Sequence, residues 1–408
     1  MNLELRSLTP DLVPAFRQAL SLGFGHDADL DDEEGTARFG AIFPLDRAFP
    51  VFDGDELIST GADFEFQMTV PGGLQAPMSG LTIITVRPTH TRRGVLTTMM
   101  HEHFRRARER GEFLGGLWAS EAPIYGRFGY GPAIQHHEVK FDTRYTGRGG
   151  AEPEIEVRLV AQDEAEKLLP DLYAAVQAGR PGMFQRSSDW WKYRLFYDPE
   201  KWRDGASAVR HAVAFDETGP VGFVSYRQKG AWDQLSNGEV RIKELLPVTD
   251  AGYRALWHYV TNIDLFPIIK HWNMAPDDPL WLLFTDGRAV GTTLSDGVWV
   301  RLIDVPAALQ ARRYTRDGGV SIRVVDDFCP WNDGVYQLRI EDGTARCTRA
   351  DGDPDVSMTA STLGALYLGG RDAVALARAG RIEGSPEAVH RINWLFRSSP
   401  EPWCAEIF

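Results

Sequence analysis

Arg92, Arg93 and Gly94 stand between a predicted strand and a predicted helix, in a pattern suited to phosphate binding. Leu81–Val86 is rich in β-branched residues and is soon followed by a proline, which cannot donate to a sheet ladder. After Gly94, apolar residues recur at helical spacing. The loop therefore brings together free backbone N–H groups, the positive end of a helix dipole and two arginines. We expect it to bind a pyrophosphate through Arg92, Arg93 and the backbone of Gly94, Val95 and Leu96.

Composition sets the broad class of the protein. The chain has 408 residues, 43% of them hydrophobic, and 12 tryptophans, which predicts a globular protein of two or three domains. Its net charge of −13 argues against a nucleic-acid partner and suits a cationic ligand. An acidic surface that keeps the protein soluble explains this charge equally well.

Targeting signals and metal patterns are not apparent in the sequence. No apolar run approaches the length of a membrane span, and Met1–Arg6 lacks the regions of a signal peptide, so we expect no membrane association. Three widely spaced cysteines form no metal pattern and predict a reduced, cytoplasmic compartment. We also expect no metal site at the histidine pairs, because their members point in different directions. These residues are Cys329, Cys347, Cys404, His101, His103, His136 and His137.

The elements around the phosphate loop follow the order β-α-β-β-β-α-β-turn-β. Phe49–Asp53 and Leu57–Val70 are predicted strands before the loop, and Phe113–Trp118 is one after it. Ala119–Pro132 contains three glycines and two prolines, which predict a tight turn close to a ligand. Ala133–Phe141 is expected to close this unit as its last strand.

A strand–proline–helix pattern recurs in the middle of the chain. Val221–Arg227 and Val240–Pro247 are predicted strands, and Val248–Val260 has helical spacing. This copy has no Arg-Arg-Gly, and Thr249 with Asp250 forms an ordinary helix N-cap instead. Because an acidic residue there would repel a pyrophosphate, we interpret the copy as a repeat that has lost its cofactor.

From about Gly297 the pattern changes to strands followed by helices. The first strand, Val298–Ile303, is assigned to this C-terminal region by its position in the chain. The other predicted strands are Val320–Val325, Gly334–Ile340 and Thr344–Arg349, and the helices are Val305–Tyr314, Thr362–Leu368, Asp372–Ala379 and Pro386–Phe396.

Val86–Leu96 together with Ala119–Pro132 closely resembles the Eis (enhanced intracellular survival) family of GCN5-related N-acetyltransferases. Two positions of the phosphate loop depart from the wider pattern, Thr91 in place of Arg or Gln and Leu96 in place of Gly or Ala. The resemblance implies a mixed α/β (α+β) fold of tandem acetyltransferase units and a sterol-carrier-like α+β domain. We set the domains at 1–150 (catalytic), 151–292 (degenerate) and 293–408 (sterol-carrier-like, interpreted as binding no lipid). It also implies a homo-oligomer, a hexamer of two trimers.

The resemblance further implies acetyl-CoA as co-substrate and assigns site residues. Acetyl transfer requires a polarised thioester carbonyl, a neutral amine, a proton for the leaving thiolate and aligned reactants. The backbone N–H near Val86 is expected to polarise the carbonyl. Tyr125 matches the family's general acid, although without the family Tyr130 would be an equal candidate. The C-terminal carboxylate of Phe408 is expected to project into the active site. Ile84, Thr85 and Ser120 match positions that contact the cofactor in the family.

The acceptor side departs from the family pattern. An acidic run, His26–Glu34, is flanked by Phe24 and Phe39, which we expect to supply apolar contact to the substrate. His26 stands where the family has an acidic pocket residue. Glu406 lies two positions before the end, whereas the family places its acidic pocket residue at the penultimate position. Both departures weaken the case for broad aminoglycoside acceptance and leave acetyl transfer intact.

The resemblance, together with these patterns, predicts an acetyl-CoA-dependent N-acetyltransferase that acts on a primary amine of a cationic small molecule, with aminoglycosides as one candidate class. Two alternatives stay open. One is acetylation of lysine side chains on proteins or peptides, and the other is a non-catalytic carrier or binding protein.

Overall fold

The computed structural model describes residues 3–27, 32–147 and 155–408. The chain divides into two compact units. The first comprises Met1–Ile134, Gly297–Ser399 and Glu406–Phe408, and the second Gln135–Asp296 and Pro400–Ala405. The predicted boundary at residue 150 and part of the acidic run lie outside the described residues. The three domain limits therefore stay a prediction.

The N-terminal part of the first unit contains the predicted strand–loop–helix. A long antiparallel pair, β4 and β5, is covered on one side by α1 and α2 and on the other by α3. The region 119–132, expected to be a tight turn throughout, begins with a short helix, α4. The strands are β1 (Leu3–Leu5), β2 (Val51–Asp53), β3 (Glu56–Leu57), β4 (Ser59–Thr69), β5 (Gln75–Val86), β6 (Leu114–Trp118) and β7 (Gly131–Pro132). The helices are α1 (Val13–Gly23), α2 (Glu33–Ile42), α3 (Val95–Glu109) and α4 (Ala122–Gly126).

The second unit is built on a sheet with the order β16-β8-β15-β14-β11-β10-β9. Its first strand, β8, overlaps the stretch 133–141 that was expected to close the first unit, and that prediction is wrong. The strand instead pairs with β15 and β16. The strands are β8 (Gln135–Asp142), β9 (Glu156–Val160), β10 (Arg210–Asp216), β11 (Gly219–Lys229), β12 (Trp232–Asp233), β13 (Leu235–Ser236), β14 (Glu239–Pro247), β15 (Ile268–Met274) and β16 (Gly291–Asp296). The helices are α5 (Thr143–Thr146), α6 (Gln162–Gln177), α7 (Ser188–Trp190) and α8 (Asp250–Thr261).

The C-terminal part returns to the first unit and completes its sheet. The strand assigned to the C-terminal region, β17, lies in the order β4-β5-β6-β17-β7, so this assignment is corrected. The remaining strands form a sheet with the order β20-β19-β18-β21-β22. The strands are β17 (Val298–Leu302), β18 (Gly318–Val325), β19 (Gly334–Glu341), β20 (Thr344–Ala350), β21 (Val356–Thr359) and β22 (Ile382–Gly384). The helices are α9 (Val305–Ala311), α10 (Ala360–Tyr367), α11 (Ala373–Arg378) and α12 (Pro386–Phe396).

Helix α10 packs closely on the strands that complete the first sheet. A Cβ added to Gly364 would lie 2.1 Å from the carbonyl oxygen of Val300 in β17. The Ser361 hydroxyl donates a hydrogen bond to the Tyr130 carbonyl at 2.8 Å. Tight backbone packing therefore joins α10 to the five-stranded sheet that contains β17. Among the described residues, every helix is too short or too polar to cross a membrane.

Candidate active site

Strand β5 separates from its parallel neighbour β6 halfway along its length. The pairing covers Met78–Gly80 with Leu114–Gly116 and stops there. Beyond that point, β5 bulges against β4, and Ile83 adopts a positive φ of 49°. A β-branched residue in this conformation is strained, and such strain persists where the surroundings fix it. The separation leaves the Leu81–Val86 side that faces β6 available for an extended ligand to pair with the backbone.

The loop after β5 presents backbone amides at the start of α3. Arg92 and Gly94 both have positive φ, 60° and 84°. Alternation of this kind turns successive N–H groups toward one side and makes an anion-binding concavity. Gly94 is the N-cap and has no side chain, so no capping hydrogen bond occupies the first-turn amides. The helix is 15 residues long, and its N-terminus favours a negative charge.

A cleft of about 790 Å³ joins the separated strand to this loop. Ten of the predicted site residues line it: Phe24, Ile84, Thr85, Val86, Arg92, Gly94, Val95, Leu96, Ser120 and Tyr125. The lining also includes Gly23, His90, Thr91, Thr97, Glu121, Ile124 and Arg127. Of these, Thr91 was noted from the sequence as a departure from the phosphate-loop pattern, and none was predicted as a site residue. Arg127 could have been found from the sequence, because it is a cation in the same glycine-rich turn as Tyr125.

The remaining predicted site residues do not line this cleft, and they are Arg93, His26, Phe39, Glu406 and Phe408. Arg93 and His26 are exposed and do not line this cleft. Phe39 is buried, with its ring stacked on Phe43 at 4.5 Å, so it belongs to the core beneath α1 and α2. Glu406 is buried, and its carbonyl oxygen accepts a hydrogen bond from Trp118 Nε1 at 2.7 Å.

Two tyrosines of the 119–132 turn have different surroundings. Tyr125 is 7% exposed and lines the cleft from α4, next to Ser120. The pKa of its phenol is raised, mainly by burial and also by the nearby Glu121, and a hydrogen bond with Ser120 offsets part of this rise. Tyr130 is fully buried, and its hydroxyl is 3.0 Å from Nε2 of His103, away from the cleft. Tyr125 is therefore the tyrosine of this turn that can reach a ligand in the cleft.

Comparison with known proteins identifies the family. Two stretches, residues 4–133 and 182–302, match acetyltransferase (GNAT) domains, and residues 305–405 match a sterol carrier protein domain. An uncharacterized N-acetyltransferase of Streptomyces avermitilis is 36% identical over 99% of each chain. N-acetyltransferase Eis of Mycobacterium tuberculosis is 33% identical over 98% of each chain. The crystal structure of Eis1 from Mycobacterium abscessus is 29% identical and covers both chains fully, with a TM-score of 0.86. The chain belongs to the Eis family of N-acetyltransferases.

Membership in the Eis family confirms the predicted fold class, in which two acetyltransferase units are combined with a sterol-carrier-like domain. It also confirms that the protein is an N-acetyltransferase, of a class whose usual acyl donor is acetyl-CoA. In the described residues, no group of three or more metal-binding side chains is arranged to hold an ion.

The second unit of this Eis-family protein repeats the separated strand pair without the loop. Parallel pairing of β14 with β15 stops at Ile242 and His271, and β14 bulges against β11 just beyond. Two residues connect β14 to α8, where the Thr249 hydroxyl accepts a hydrogen bond from the Gly252 N–H at 3.1 Å. The predicted N-cap is thus confirmed.

A C-terminal segment lies against the separated strands of the second unit. Trp403 Nε1 donates to Oδ1 of Asn273 in β15 at 3.0 Å, and Asn273 Nδ2 donates to the Cys404 carbonyl at 3.0 Å. The buried Trp403 ring shares an apolar cluster with Leu246 of β14. Glu244 of β14 forms a buried ion pair with Arg186 at 2.5 Å. The chain's own side chains therefore occupy the surroundings of this second strand pair.

Proposed function

We propose that this protein transfers an acetyl group from acetyl-CoA to a primary amine of a cationic small molecule. The observation that carries the proposal is the cleft of the first unit. One cavity is lined by the unpaired end of β5, the uncapped start of α3 with Arg92, and Tyr125. These are the groups needed to hold a pantetheine arm, bind a pyrophosphate and supply a proton to a thiolate.

The donor is held by backbone and charge. The β5 edge near Val86 supplies N–H groups for the pantetheine arm and for the thioester carbonyl. Arg92 and the first-turn amides of α3 face the cleft and can bind the pyrophosphate, and Arg127 adds a further positive charge to the lining. His90 also lines the cleft beside the loop, with Nε2 3.7 Å from Oδ2 of Asp53.

Tyr125 is proposed as the general acid. When the amine attacks the acetyl carbon, the C–S bond breaks and the thiolate takes the phenolic proton. A phenol whose pKa is raised by burial keeps its proton at neutral pH and so is available to give it. The resulting phenolate recovers a proton through water, aided by its hydrogen bond with the Ser120 hydroxyl.

The C-terminal carboxylate of Phe408 is proposed to orient the acceptor. An ordinary α-carboxylate has a pKa about 7 units below that of an alkylammonium, so direct deprotonation would cost about 9 kcal/mol. Relay of the proton through water, with the carboxylate positioning the cation, avoids most of this cost. The net charge of −13 further favours a cationic acceptor.

The residues on the acceptor side of the cleft determine which amines can bind. Phe24 is 54% exposed at the cleft and offers an aromatic face to an approaching substrate. We propose a small cationic amine, with aminoglycosides as one candidate class. We expect a narrower range of acceptors than in the family, because His26 replaces an acidic residue and neither His26 nor Glu406 lines the cleft.

We also propose that the second acetyltransferase unit binds no acetyl-CoA. A two-residue connection replaces the phosphate loop, Thr249 caps the helix, and Trp403 lies against the separated strands. A homo-oligomer, with a hexamer as the expected size, is proposed from family membership.

A screen for release of the CoA thiol tests the proposed function. The protein is incubated with acetyl-CoA and with aminoglycosides, polyamines or lysine peptides in parallel. Amine-dependent release with small cationic amines supports the proposal. Release with lysine peptides alone indicates protein acetylation. Acetyl-CoA binding without release in any arm would contradict the proposed acetyl transfer and favour the non-catalytic alternative.

A further inference from the structure

The last residue of the chain lies where β5 and β6 separate. Gly80 is the last residue of β5 that pairs with β6, opposite Gly116. A Cβ added to Gly80 would lie 2.4 Å from Cε2 of Phe66 and 3.3 Å from Cε2 of Phe408. The bare backbone at Gly80 therefore leaves room for both rings at the point of separation.

The ring of Phe408 rests on a fixed aromatic neighbour. It meets the Phe66 ring edge-on, with centroids 5.0 Å apart, which is a favourable arrangement for aromatic pairs. Phe66 is 5% exposed and contacts Phe64 of the same strand at 5.3 Å. The Phe66 ring is thus a buried neighbour for Phe408, packed against a second aromatic ring.

The end of β6 holds the C-terminal segment at Glu406, two residues before Phe408. Trp118 is the last residue of β6, and its indole N–H donates to the Glu406 carbonyl at 2.7 Å. Between this bond and the Phe408 ring lies one residue, Ile407, which is 51% exposed. Fixing both ends of so short a segment removes most of the freedom that a chain terminus normally has.

We propose that Gly80, Phe66 and Trp118 form a terminal seat that positions the Phe408 carboxylate at the strand separation for acetyl transfer. The inference rests on the role proposed above for that carboxylate. The three residues are positioning residues, since they contact the tail and act on the reaction through it. A terminus held at the separation lies beside the β5 edge proposed to bind the thioester, so the acceptor amine is oriented toward the acetyl carbon.

Trp118→Phe removes the donor to Glu406 and keeps an aromatic ring, so it tests the seat with little change in packing. Trp331→Phe is a matched control, because its indole N–H also donates to a backbone carbonyl, that of Ile303, at 2.9 Å. We expect Trp118→Phe to lower kcat about tenfold or more without changing the dissociation constant of acetyl-CoA. Trp331→Phe should leave kcat unchanged.

A protein with one glycine added after Phe408 separates positioning from general damage. In that background the carboxylate is already displaced, so Trp118→Phe should have little further effect on kcat. An effect of the same size in both backgrounds would mean that Trp118 acts through the fold, and it would overturn the inference.

Release of the terminal phenylalanine by a carboxypeptidase measures the seat without any acetyl transfer. Under native conditions the rate reports how often the tail leaves its position. We expect release to be several-fold faster in Trp118→Phe than in wild type, with Trp331→Phe unchanged. Equal rates in all three proteins would overturn the inference. Faster release in Trp118→Phe from a protein that acetylates no amine would support the seat and contradict the proposed function.

Discussion

At the scale of single residues, the site depends on which side chains reach the cleft. Tyr125 and Tyr130 are five positions apart in one turn, yet only the first lines the cleft. The hydroxyl of Tyr130 is used by His103, whose Nδ1 lies 3.4 Å from Asp63. The Tyr125 phenol instead forms a hydrogen bond with the Ser120 side chain, and Tyr125 lines the cleft.

Replacing Tyr125 with Phe should lower kcat by about 100-fold, because the thiolate loses its proton donor. The dissociation constant of acetyl-CoA should change little, which calorimetry can measure. Burial raises the pKa of Tyr125, so the phenol stays protonated through neutral and mildly alkaline pH. Deprotonation of Tyr125 should therefore not lower the wild-type kcat in that range. Unaltered turnover in Tyr125→Phe would remove the residue as the acid. Tyr130→Phe serves as a contrast, with a lower Tm expected because His103 loses its buried partner.

Arg92 and Arg93 make a second matched pair. Arg92 lines the cleft, whereas the exposed Arg93 does not. Arg92→Ala should weaken acetyl-CoA binding about tenfold, since charged hydrogen bonds to phosphate are lost, and Arg93→Ala should weaken it less. Calorimetry on both variants tests this order. Equal losses would place both arginines on the pyrophosphate, as the sequence predicted.

At the scale of elements, loop length separates the two acetyltransferase units. Eight residues join β5 to α3, against two between β14 and α8. The sequence predicted both strand–helix pairs because their hydrophobic periodicity is local. It also predicted the N-cap at Thr249 from residue type. It could not predict Trp403 beside Asn273, because that contact joins residues 130 positions apart.

Titration with acetyl-CoA should therefore give one binding site per chain. The second unit lacks the uncapped helix start and the arginine of the first, so no second site is expected at concentrations that saturate the first. Two equivalent sites in calorimetry would show that the second unit has kept its cofactor.

Two helical glycines, Gly364 in α10 and Gly40 in α2, together test the packing of α10. At Gly364, a Cβ would meet the Val300 carbonyl at 2.1 Å, so Gly364→Ala should destabilise the protein by about 1–3 kcal/mol. At Gly40 in α2, a Cβ would meet nothing within 4 Å. Gly40→Ala should therefore stabilise by about 0.5–1 kcal/mol through helix propensity. Denaturant unfolding of both variants measures the difference, and a shift of the same sign in both would contradict the packing of α10.

At the scale of the whole molecule, the order of strands departs from the order of the chain. Strand β17 follows the main segment of the second unit, Gln135–Asp296, in sequence, but it lies between β6 and β7 in a sheet of the first unit. The pattern of Val298–Ile303 predicts a strand correctly, but periodicity carries no information on which sheet it joins. The same limit explains why β8 was assigned to the wrong unit. Most of the cleft lining was predictable because β5, the loop and α3 are contiguous in sequence, whereas the proposed acceptor side draws on residues as distant as Phe24 and Phe408.

The role of the Phe408 carboxylate in acetyl transfer is tested most directly by amine-dependent thiol release. The wild-type protein is compared with the protein extended by one glycine after Phe408. Both are supplied with saturating acetyl-CoA and with the best amine from the screen, and calorimetry checks that both bind acetyl-CoA equally. We expect rapid release by the wild type and a loss of kcat on extension, because the added residue displaces the terminal carboxylate. Equal turnover of the two proteins would contradict the role of the carboxylate. Binding of acetyl-CoA by the wild type, with no release for any amine class, would contradict the proposed acetyl transfer to an amine.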